Sequence, residues 1–325
     1  MERPQRGAAW GARSRISVVE RLTIGIVGLG LIGQRWAAAF AHAGHDVRGF
    51  DPDPARAAAL GAVLPTLFAD LDALRGTSTA RGTIVTCPTL ADALRGVDFV
   101  QENGPEALAL KQRMLSDIDN LLDEAIVVAS SSSALLVSEM QAQCRNPQRI
   151  VLGHPFNPVH LMPLVEIVAG RATAPAALVQ AREIYTAIGK KPVVLHREIT
   201  GHLALRLMGA MWREAIALVR DGVASVEDVD RAFIYGPGPK WALQGAFISN
   251  GLNADGIESF LIKYGPTYQA IWDSLLEVRL DAETAATISA STAQAVGSRS
   301  QERLRTERDA GLIELLKTIA EHGAL

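Results

Sequence analysis

The sequence predicts an α/β chain in which a parallel sheet covered by helices is followed by a smaller all-α domain. Three features of the 325 residues lead to this class. From Arg21 onward, short apolar runs alternate with helical patterns, the order expected of parallel strands joined by helices. A glycine-rich turn follows the first of these runs. After about residue 198 the strand-like runs stop, and only helical periodicity continues.

Eight apolar runs are predicted as strands. In chain order they cover residues 22–28, 45–51, 83–87, 98–103, 125–130, 149–154, 164–168 and 190–196. Between the first two, residues 32–44 are predicted as a helix that Gly44 closes. The later periodicity predicts a helix over residues 201–222 and a second helix that Ser225 and Asp228 begin as a capping box, with further helices to the chain end.

These patterns divide the chain into a leader, residues 1–20, a sheet-containing domain, residues 21–198, and a helical domain, residues 199–325. The leader is arginine-rich and lacks an apolar core, so it is not a secretory signal. We expect it to be disordered. The alternative is an arginine-rich transit peptide, which the lack of an amphipathic repeat disfavours. The arginines are Arg3, Arg6, Arg13 and Arg15.

Composition limits the kinds of partner. The chain is 48% hydrophobic and 21% charged, with a formal net charge of -3, so it has a large core and no cationic surface for nucleic acid. No apolar run approaches the roughly 18 residues of a membrane span. Cys87 and Cys144 stand far apart, which argues for a reducing, cytoplasmic setting and against a thiolate metal site. A small-molecule partner is expected, with no metal.

The glycine-rich turn, GIVGLGLIG, places Gly28, Gly30 and Gly33 between a strand and a helix in a G-x-G-x-x-G motif. Such glycines allow a tight turn, close approach of backbone to a pyrophosphate, and helix packing, while free N–H groups at the helix start attract the anion. Leu31 and Ile32 complete the turn. In this setting the motif predicts a Rossmann-type dinucleotide-binding domain. The alternative is that the glycines serve only strand–helix packing.

The end of the second strand indicates which dinucleotide is bound. Asp51 lies there, 18 residues after Gly33, where a carboxylate can accept hydrogen bonds from both ribose hydroxyls of NAD. The same carboxylate repels the 2′-phosphate of NADP, and Arg56 is the only basic residue nearby. The sequence therefore predicts NAD as the cofactor.

A histidine and a glutamate lie in two apolar runs where an unpaired charge would be costly. If residues 150–154 and 164–168 run antiparallel about a turn near His160, residues whose numbers sum to 320 face each other, as those of His154 and Glu166 do. A carboxylate on one ring nitrogen fixes the imidazole tautomer and leaves the other nitrogen free to move a proton. The spacing therefore predicts an acid–base pair.

Together these stretches resemble the L-3-hydroxyacyl-CoA dehydrogenase superfamily, from about residue 22 to about residue 320. Within it, the chain is similar to the branch that acts on free hydroxy acids, which includes the L-carnitine dehydrogenases and the L-gulonate 3-dehydrogenases (lambda-crystallin). The resemblance is carried by GIVGLGLIG, VQENGPEALALK, ASSSSALL, GHPFNPVHLMPLVEIV and MWREAIALV.

The resemblance implies roles for four residues of the reaction. Ser133 would hold the substrate oxygen, and His154 would be the base. Asn157 would help to place the substrate and the nicotinamide, and Glu166 would orient the histidine. The implied activity is hydride transfer from the hydroxyl-bearing carbon of a small 3-hydroxy acid to NAD, while His154 takes the hydroxyl proton.

Three further positions match ones that approach the cofactor in the family, namely Asn103, Glu106 and Lys111. For Lys111, the alternative is a solvated helix face. Relatives that dimerise through the helical domain also imply a homodimer.

The chain departs from the family at the start of the helical domain. Relatives show G-F-[IV]-x-[ND]-R-L, whereas this chain has GHLALRL, with Leu205 in place of the polar residue and His202 in place of phenylalanine. Because Leu205 stands where relatives have a hydrogen-bonding side chain, either the substrate differs at the end that meets this position or the activity has changed. His202 adds a polar contact to the site or lies on the helix surface.

Residues 52–84 carry three arginines and three aspartates and no lysine, which disfavours a polyanionic CoA thioester. Carnitine-like cations favour aromatic faces, which Tyr235, Trp241 and Trp272 could supply, although a helical core or subunit contact is the commoner role of such rings. The alternative functions are a 3-hydroxyacyl-CoA dehydrogenase and a catalytically silent, crystallin-like nucleotide-binding protein.

Overall fold

The computed structural model describes residues 21–323, so the predicted leader lies outside the described residues. These residues form an eight-stranded, mostly parallel sheet with flanking helices, followed by a helical region. The chain divides into two compact units between Leu205 and Arg206.

All eight predicted strands are confirmed. They are β1 (Thr23–Val27), β2 (Asp46–Phe50), β3 (Ile84–Thr86), β4 (Phe99–Glu102), β5 (Val127–Ser130), β6 (Ile150–Pro155), β7 (Leu164–Ala169) and β8 (Lys191–Val194). Their order in the sheet is β3-β2-β1-β4-β5-β6-β7-β8. Strands β7 and β8 are parallel to each other and antiparallel to the rest, because β6 and β7 form an antiparallel pair.

Most helices of the first unit lie between two strands in chain order. They are α1 (Leu31–His42), α2 (Pro54–Arg75), α3 (Leu90–Leu94), α4 (Leu108–Leu121), α5 (Val137–Met140) and α6 (Pro175–Ala187). Gly44 follows α1 at φ 97°, a left-handed conformation that glycine adopts without strain, so the predicted stop is confirmed. Asp53 begins α2 by accepting a hydrogen bond from the Ala55 N–H at 3.0 Å, with Pro54 as the first helical residue.

Each face of the sheet has its own apolar core. Successive side chains on a strand point to opposite faces, so Phe99 packs in a cluster with Trp36 and Tyr185, whereas Val100 packs in a second cluster with Leu115. All five are fully or nearly fully buried. The two cores fix the carboxyl ends of β1, β4, β5 and β6 along one edge of the sheet.

Helix α2 satisfies the length and composition of a membrane span, with a mean hydropathy of 1.5 over 18 residues. The expectation that no segment approaches a span is wrong by this criterion, which admits up to two charged residues in the window. One such helix is weak evidence for a membrane. In the fold, α2 buries Leu60, Leu67 and Leu71, and α1 and α2 lie in contact.

The second part of the described chain is helical. Its helices are α7 (Ala204–Arg220), α8 (Val226–Tyr235), α9 (Pro237–Gly251), α10 (Ile257–Asp273), α11 (Ala282–Val296) and α12 (Gln301–His322). Ser225 accepts a hydrogen bond from the Asp228 N–H at 3.1 Å, which confirms the predicted start of α8. Helix α9 is kinked at Gly245, where φ is 68°.

Candidate active site

The glycine turn has the geometry of a pyrophosphate cradle. A Cβ on Gly28 would lie 2.9 Å from the Asn103 carbonyl, and a Cβ on Gly33 would lie 1.8 Å from the Gly28 oxygen, so neither position admits a side chain. A Cβ on Gly30 would have only Arg56 Nη1 near it, at 3.6 Å, so the space beside this glycine is open to a ligand. Helix α1 begins at Leu31 with no side-chain cap and no acidic residue in its first turn, which leaves its N–H groups for an anion.

Asp51 is tied directly to this turn. Its Oδ2 accepts a hydrogen bond from the Leu29 N–H at 2.7 Å, and its Oδ1 accepts one from the Asp53 N–H at 2.9 Å. Each carboxylate oxygen has a second lone pair, so both can still accept a ribose hydroxyl. The turn, the helix start and the carboxylate therefore fit NAD, in the order that the sequence predicted.

Asn103 lies beneath the turn at the end of β4. Its Nδ2 donates to the Gln101 carbonyl at 2.9 Å, and its Oδ1 accepts from the Ser131 hydroxyl at 2.7 Å. Gln101 in turn donates to Ser131 Oγ at 2.8 Å and accepts from the Tyr185 hydroxyl at 2.5 Å. This network joins the carboxyl ends of β4 and β5, and the sequence analysis did not identify Gln101 or Tyr185 as part of it.

Lys111 is buried in the first unit, with 1% of its surface exposed. Its ammonium donates to both carboxylate oxygens of Glu102 and to the Gly104 carbonyl, each at 2.9 Å, so all three N–H groups are used. Glu102 also accepts a hydrogen bond from the Ser130 hydroxyl at 2.7 Å. The solvated helix face is therefore wrong for Lys111, and the pair fixes the Gly104 turn from within.

Glu106 holds the serine-rich loop that follows β5. Its Oε1 accepts from the Ser132 hydroxyl at 2.7 Å, the Ser133 N–H at 3.0 Å and the Ala134 N–H at 2.9 Å. Burial raises the pKa of Glu106, but these bonds and the charge of Lys111 outweigh it, so the pKa lies below its usual value. Ser133 remains partly exposed, held by its backbone.

His154 and Glu166 face each other across β6 and β7, in the predicted register. His154 Nδ1 lies 2.8 Å from Glu166 Oε2, and the two residues are 4% and 0% exposed. The other oxygen, Oε1, accepts from the N–H groups of Leu203 at 2.7 Å and Ala204 at 2.8 Å, at the start of α7. Burial raises the pKa of Glu166, but the hydrogen bonds from His154, Ala204 and Leu203 lower it further, to below its usual value.

The ionised state of Glu166 determines the tautomer of His154. A carboxylate only accepts hydrogen bonds, so Nδ1 of the imidazole carries the proton and Nε2 has a lone pair. The geometry therefore provides a buried base whose free nitrogen can take a proton.

Asn157 lies exposed on the loop that follows His154. This loop is anchored by Lys190, which the sequence analysis missed. Lys190 is 2% exposed, donates to the carbonyls of Val159 and Met162, and lies 5.1 Å from the Trp36 ring centroid. Burial holds the pKa of Lys190 well below its usual value. A lysine before a strand gives no local signal of such a buried role.

His202 joins the serine loop to the acid–base pair. Its ring centroid is 5.3 Å from that of His154, and its Nε2 is 3.3 Å from the Ser132 carbonyl oxygen. Phe156 packs edge-on against His154 from 5.4 Å. The structure thus gathers the Ser132 carbonyl, His202, His154 and Glu166 in one cluster, with Ser133 next to Ser132 in the chain. The helix-surface alternative for His202 is wrong, since the residue is 2% exposed.

The substrate-pocket candidates lie in the helical region. Leu205 is partly buried in the first turn of α7, next to Ala204. Trp241, on α9, packs against Phe233 at 6.4 Å, and Trp272, on α10, packs against Tyr268 at 6.1 Å. Within residues 21–323, no group of three or more His, Cys, Asp or Glu side chains is arranged to hold a metal ion.

The chain matches known families and proteins over most of its length. Residues 23–199 match the model described as 3-hydroxyacyl-CoA dehydrogenase, NAD binding domain, and residues 201–256 match its C-terminal domain. An L-carnitine dehydrogenase of Bacillus cereus is 38% identical over 91% of this chain and 92% of its own length. Another, from Streptomyces griseus subsp. griseus, is 37% identical over 90% of this chain and 89% of its own.

Among solved structures, the chain resembles 5-formyl-3-hydroxy-2-methylpyridine 4-carboxylic acid 5-dehydrogenase, described as an NAD+ dependent dismutase. The TM-score is 0.82 at 29% identity, over 94% of this chain and all of that one. The fold, the matched domains and these relatives agree: the chain belongs to the 3-hydroxyacyl-CoA dehydrogenase family.

Proposed function

We propose that this protein oxidises the 3-hydroxyl of a small, free, carnitine-like hydroxy acid to the 3-keto acid, with NAD as cofactor. The observation that carries the proposal is the buried His154–Glu166 pair, which leaves Nε2 of the histidine as a base. Strands β1 and β6 run parallel in the sheet, so the pair lies at the same edge as the glycine turn. Ligands bind at this edge of open α/β sheets.

The cofactor would be held by Gly28, Gly30, the start of α1 and Asp51, with Asn103 supporting the turn from below. When bound, NAD supplies the acceptor for the hydride that leaves the hydroxyl-bearing carbon. Lys111 would act on cofactor binding through the Gly104 turn, since its own N–H groups are used within the protein.

The protein's own part in the reaction is to align the acid and to move its proton. The Ser133 hydroxyl and Asn157 would hold the substrate, and His154 Nε2 would take the hydroxyl proton as the hydride departs. Glu166 would stabilise the imidazolium that results, because its carboxylate lies 2.8 Å from Nδ1. In the reverse direction the imidazolium returns the proton to the 3-keto oxygen.

The charges near α2 support a substrate without CoA. Arg56 lies 3.6 Å from Asp53, Arg81 pairs with Asp72, and Arg75 donates to the Ile188 carbonyl, so each arginine already has a partner. A polyanionic thioester would have to displace these contacts. A diffuse cation such as a quaternary ammonium does not need them, and two of the similar proteins are named L-carnitine dehydrogenase.

The proposal is tested by measuring kcat/KM with NAD for carnitine, 3-hydroxybutyrate, gulonate and 3-hydroxybutyryl-CoA under one set of conditions. We expect carnitine to lead and the thioester to come last. If the thioester is the best of the four, the protein is a 3-hydroxyacyl-CoA dehydrogenase. If none is oxidised although NAD binds, the crystallin-like alternative holds instead.

We further infer that residues 21–198 bind the cofactor and that residues 199–325 contribute to substrate binding and form a homodimer. Helix α7 carries four large apolar side chains that are 41–66% exposed, a pattern typical of a subunit contact. They are Leu207, Met208, Met211 and Trp212. Light scattering should give twice the chain mass, and Trp212→Glu should lower it; a monomeric wild type would contradict the dimer.

For the compartment we propose the cytoplasm, on the basis of the two cysteines. Cys87 and Cys144 are both free thiols in the structure, as a reducing setting requires. Fractionation of cells that express the full chain would test the assignment.

A further inference from the structure

His202 has a backbone conformation that few residues other than glycine adopt. Its φ is 51°, directly after Gly201 at φ 75°, and the side chain is 2% exposed. Histidine is one of the residue types that tolerate this region, whereas bulky and β-branched residues rarely do. The turn places the imidazole beside His154 and leaves the next two N–H groups, of Leu203 and Ala204, to bind Glu166.

The hydrogen bonds of His202 fix its tautomer. Its Nε2 lies 3.3 Å from the Ser132 carbonyl oxygen, which can only accept, so Nε2 carries the proton. Its Nδ1 is then an acceptor, and this atom is buried with no hydrogen-bond partner among the described residues. Burial lowers the pKa of His202, and the nearby His154 lowers it further, so the ring stays neutral and Nδ1 keeps its lone pair.

His154 cannot satisfy this acceptor before the reaction. Its Nδ1–H donates a hydrogen bond to Glu166, and its Nε2 is itself an acceptor when the imidazole is neutral. A buried acceptor without a donor is destabilising, and native proteins seldom retain one without a ligand or water to satisfy it. The donor must therefore come from outside the cluster.

We propose that His202 is a ligand-contacting residue whose Nδ1 accepts a hydrogen bond from an N–H or O–H group that arrives with the reactants. The inference rests on the proposed function, because it takes the cluster around His154 to be where the acid and the cofactor meet. Two reactants can bring such a donor: the nicotinamide carboxamide of NAD, and a substrate hydroxyl other than the 3-hydroxyl, whose single proton goes to His154. A carnitine-like acid has no second O–H or N–H group, so for such a substrate the donor is the carboxamide.

Two variants of His202 test whether its Nδ1 acceptor, and not merely an aromatic ring, is required. His202→Phe keeps an aromatic side chain without an acceptor. His202→Asn keeps an acceptor oxygen on a residue that tolerates positive φ and is the rescue variant. If the phenylalanine variant fails to fold, His202→Gly, which also lacks the acceptor and tolerates positive φ, takes its place. His196→Phe removes an exposed histidine outside the cluster and is the matched control. Thermal unfolding verifies that each variant is folded.

Two readouts identify the source of the donor. Fluorescence titration gives the Kd of the binary complex with NAD and with 3-acetylpyridine adenine dinucleotide, which lacks the carboxamide N–H groups. Steady-state kinetics at saturating NAD give KM and kcat for the preferred acid. Leaving one ligand donor unpaired should cost about 5- to 150-fold in affinity.

If the donor is the carboxamide, His202→Phe weakens NAD by this factor and leaves the acetylpyridine analogue unchanged. If the donor is on the substrate, the Kd for NAD stays constant and the KM for the acid rises. In either case His202→Asn should recover most of the loss. The inference is overturned if His202→Phe changes neither quantity relative to His196→Phe, or if His202→Asn is as impaired as His202→Phe. If no acid is oxidised by the wild type, the proposed function fails, and the two cofactor titrations alone decide the role of His202.

Discussion

Replacing Glu166 with glutamine should disable His154 by reversing its tautomer. In the wild type Oε1 of Glu166 accepts two backbone N–H groups, from Leu203 and Ala204, and Oε2 accepts from His154 Nδ1. The glutamine oxygen has to stay with the two N–H groups, which can only donate. The amide NH2 then faces His154 Nδ1 and donates to it, so the imidazole proton moves to Nε2 and blocks the base.

The size of the effect follows from these contacts. Loss of a charge-assisted hydrogen bond to the imidazolium costs about 1.5–3 kcal/mol, or roughly 10- to 150-fold in rate. The wrong tautomer removes the positioned base as well, and positioned acid–base catalysis is worth about 10²–10⁴-fold. We therefore expect Glu166→Gln to lower kcat by about 10²–10⁴-fold. KM should change little, because Glu166 is 0% exposed and would act on the substrate only through His154.

The assay is NADH formation with the preferred acid, together with thermal unfolding to confirm folding. Glu198→Gln is the matched control, since Glu198 also binds backbone, through the Ser138 N–H at 2.7 Å, and has no histidine partner. Because His154 and Glu166 act as a unit, the double variant His154→Ala with Glu166→Gln should be little worse than His154→Ala alone. A loss below about tenfold in folded Glu166→Gln, or two losses that multiply, would refute the reasoning.

Further predictions concern the cofactor, the substrate and two titratable groups. Asp51→Ala should lower kcat/KM with NAD more than with NADP, because the carboxylate would bind the ribose hydroxyls of NAD and repel the 2′-phosphate of NADP; equal wild-type efficiency with both cofactors would remove the assignment of Asp51. Leu205→Asn should shift the ratio of kcat/KM toward gulonate over carnitine, because an apolar side chain leaves a substrate hydroxyl unpaired at a cost of roughly 1–3 kcal/mol. Burial raises the pKa of Cys144 to about 12, so iodoacetamide at neutral pH should leave it unmodified in the native protein and label it in urea, as mass spectrometry would show. The folded pKa of Glu166 lies below the unfolded value, so its stabilising effect is present above about pH 4.3 and is lost as the pH falls through the folded pKa. The difference in melting temperature between the wild type and Glu166→Gln should therefore shrink in acid.

The parts of the site that the sequence predicts are those that depend on local pattern. The glycine turn and Asp51 follow from spacing along one strand–helix–strand unit, in which the backbone is proposed to bind the pyrophosphate. The pairing of His154 with Glu166 follows from the register of the antiparallel strands β6 and β7. A shift of the register by one residue would send every side chain of a strand to the other face of the sheet, so the apolar pattern fixes the register. The presence of the eight strands along the chain follows from the alternation of apolar runs and helical patterns, whereas the sequence does not predict their order in the sheet.

The parts that the sequence does not predict depend on contacts between distant elements. Lys111 lies on a helix where a solvated lysine is the common outcome, and its burial follows from Glu102, nine residues away on β4. His202 reaches the cluster only because a left-handed turn directs it to Ser132, 70 residues earlier in the chain. Lys190 is buried because carbonyls of the loop after β6 converge on it. No periodicity encodes such pairings, because each depends on how complete elements pack.

The most direct test of the central claim is the fate of the hydrogen on the hydroxyl-bearing carbon. Carnitine carrying deuterium at that carbon is supplied to the wild type with NAD, and the NADH formed is examined by mass spectrometry. Oxidation of the 3-hydroxyl, with His154 taking its proton, predicts one deuterium in each NADH and a slower reaction than with unlabelled carnitine. NADH that forms without deuterium would contradict the account, as would carnitine that is bound and never oxidised.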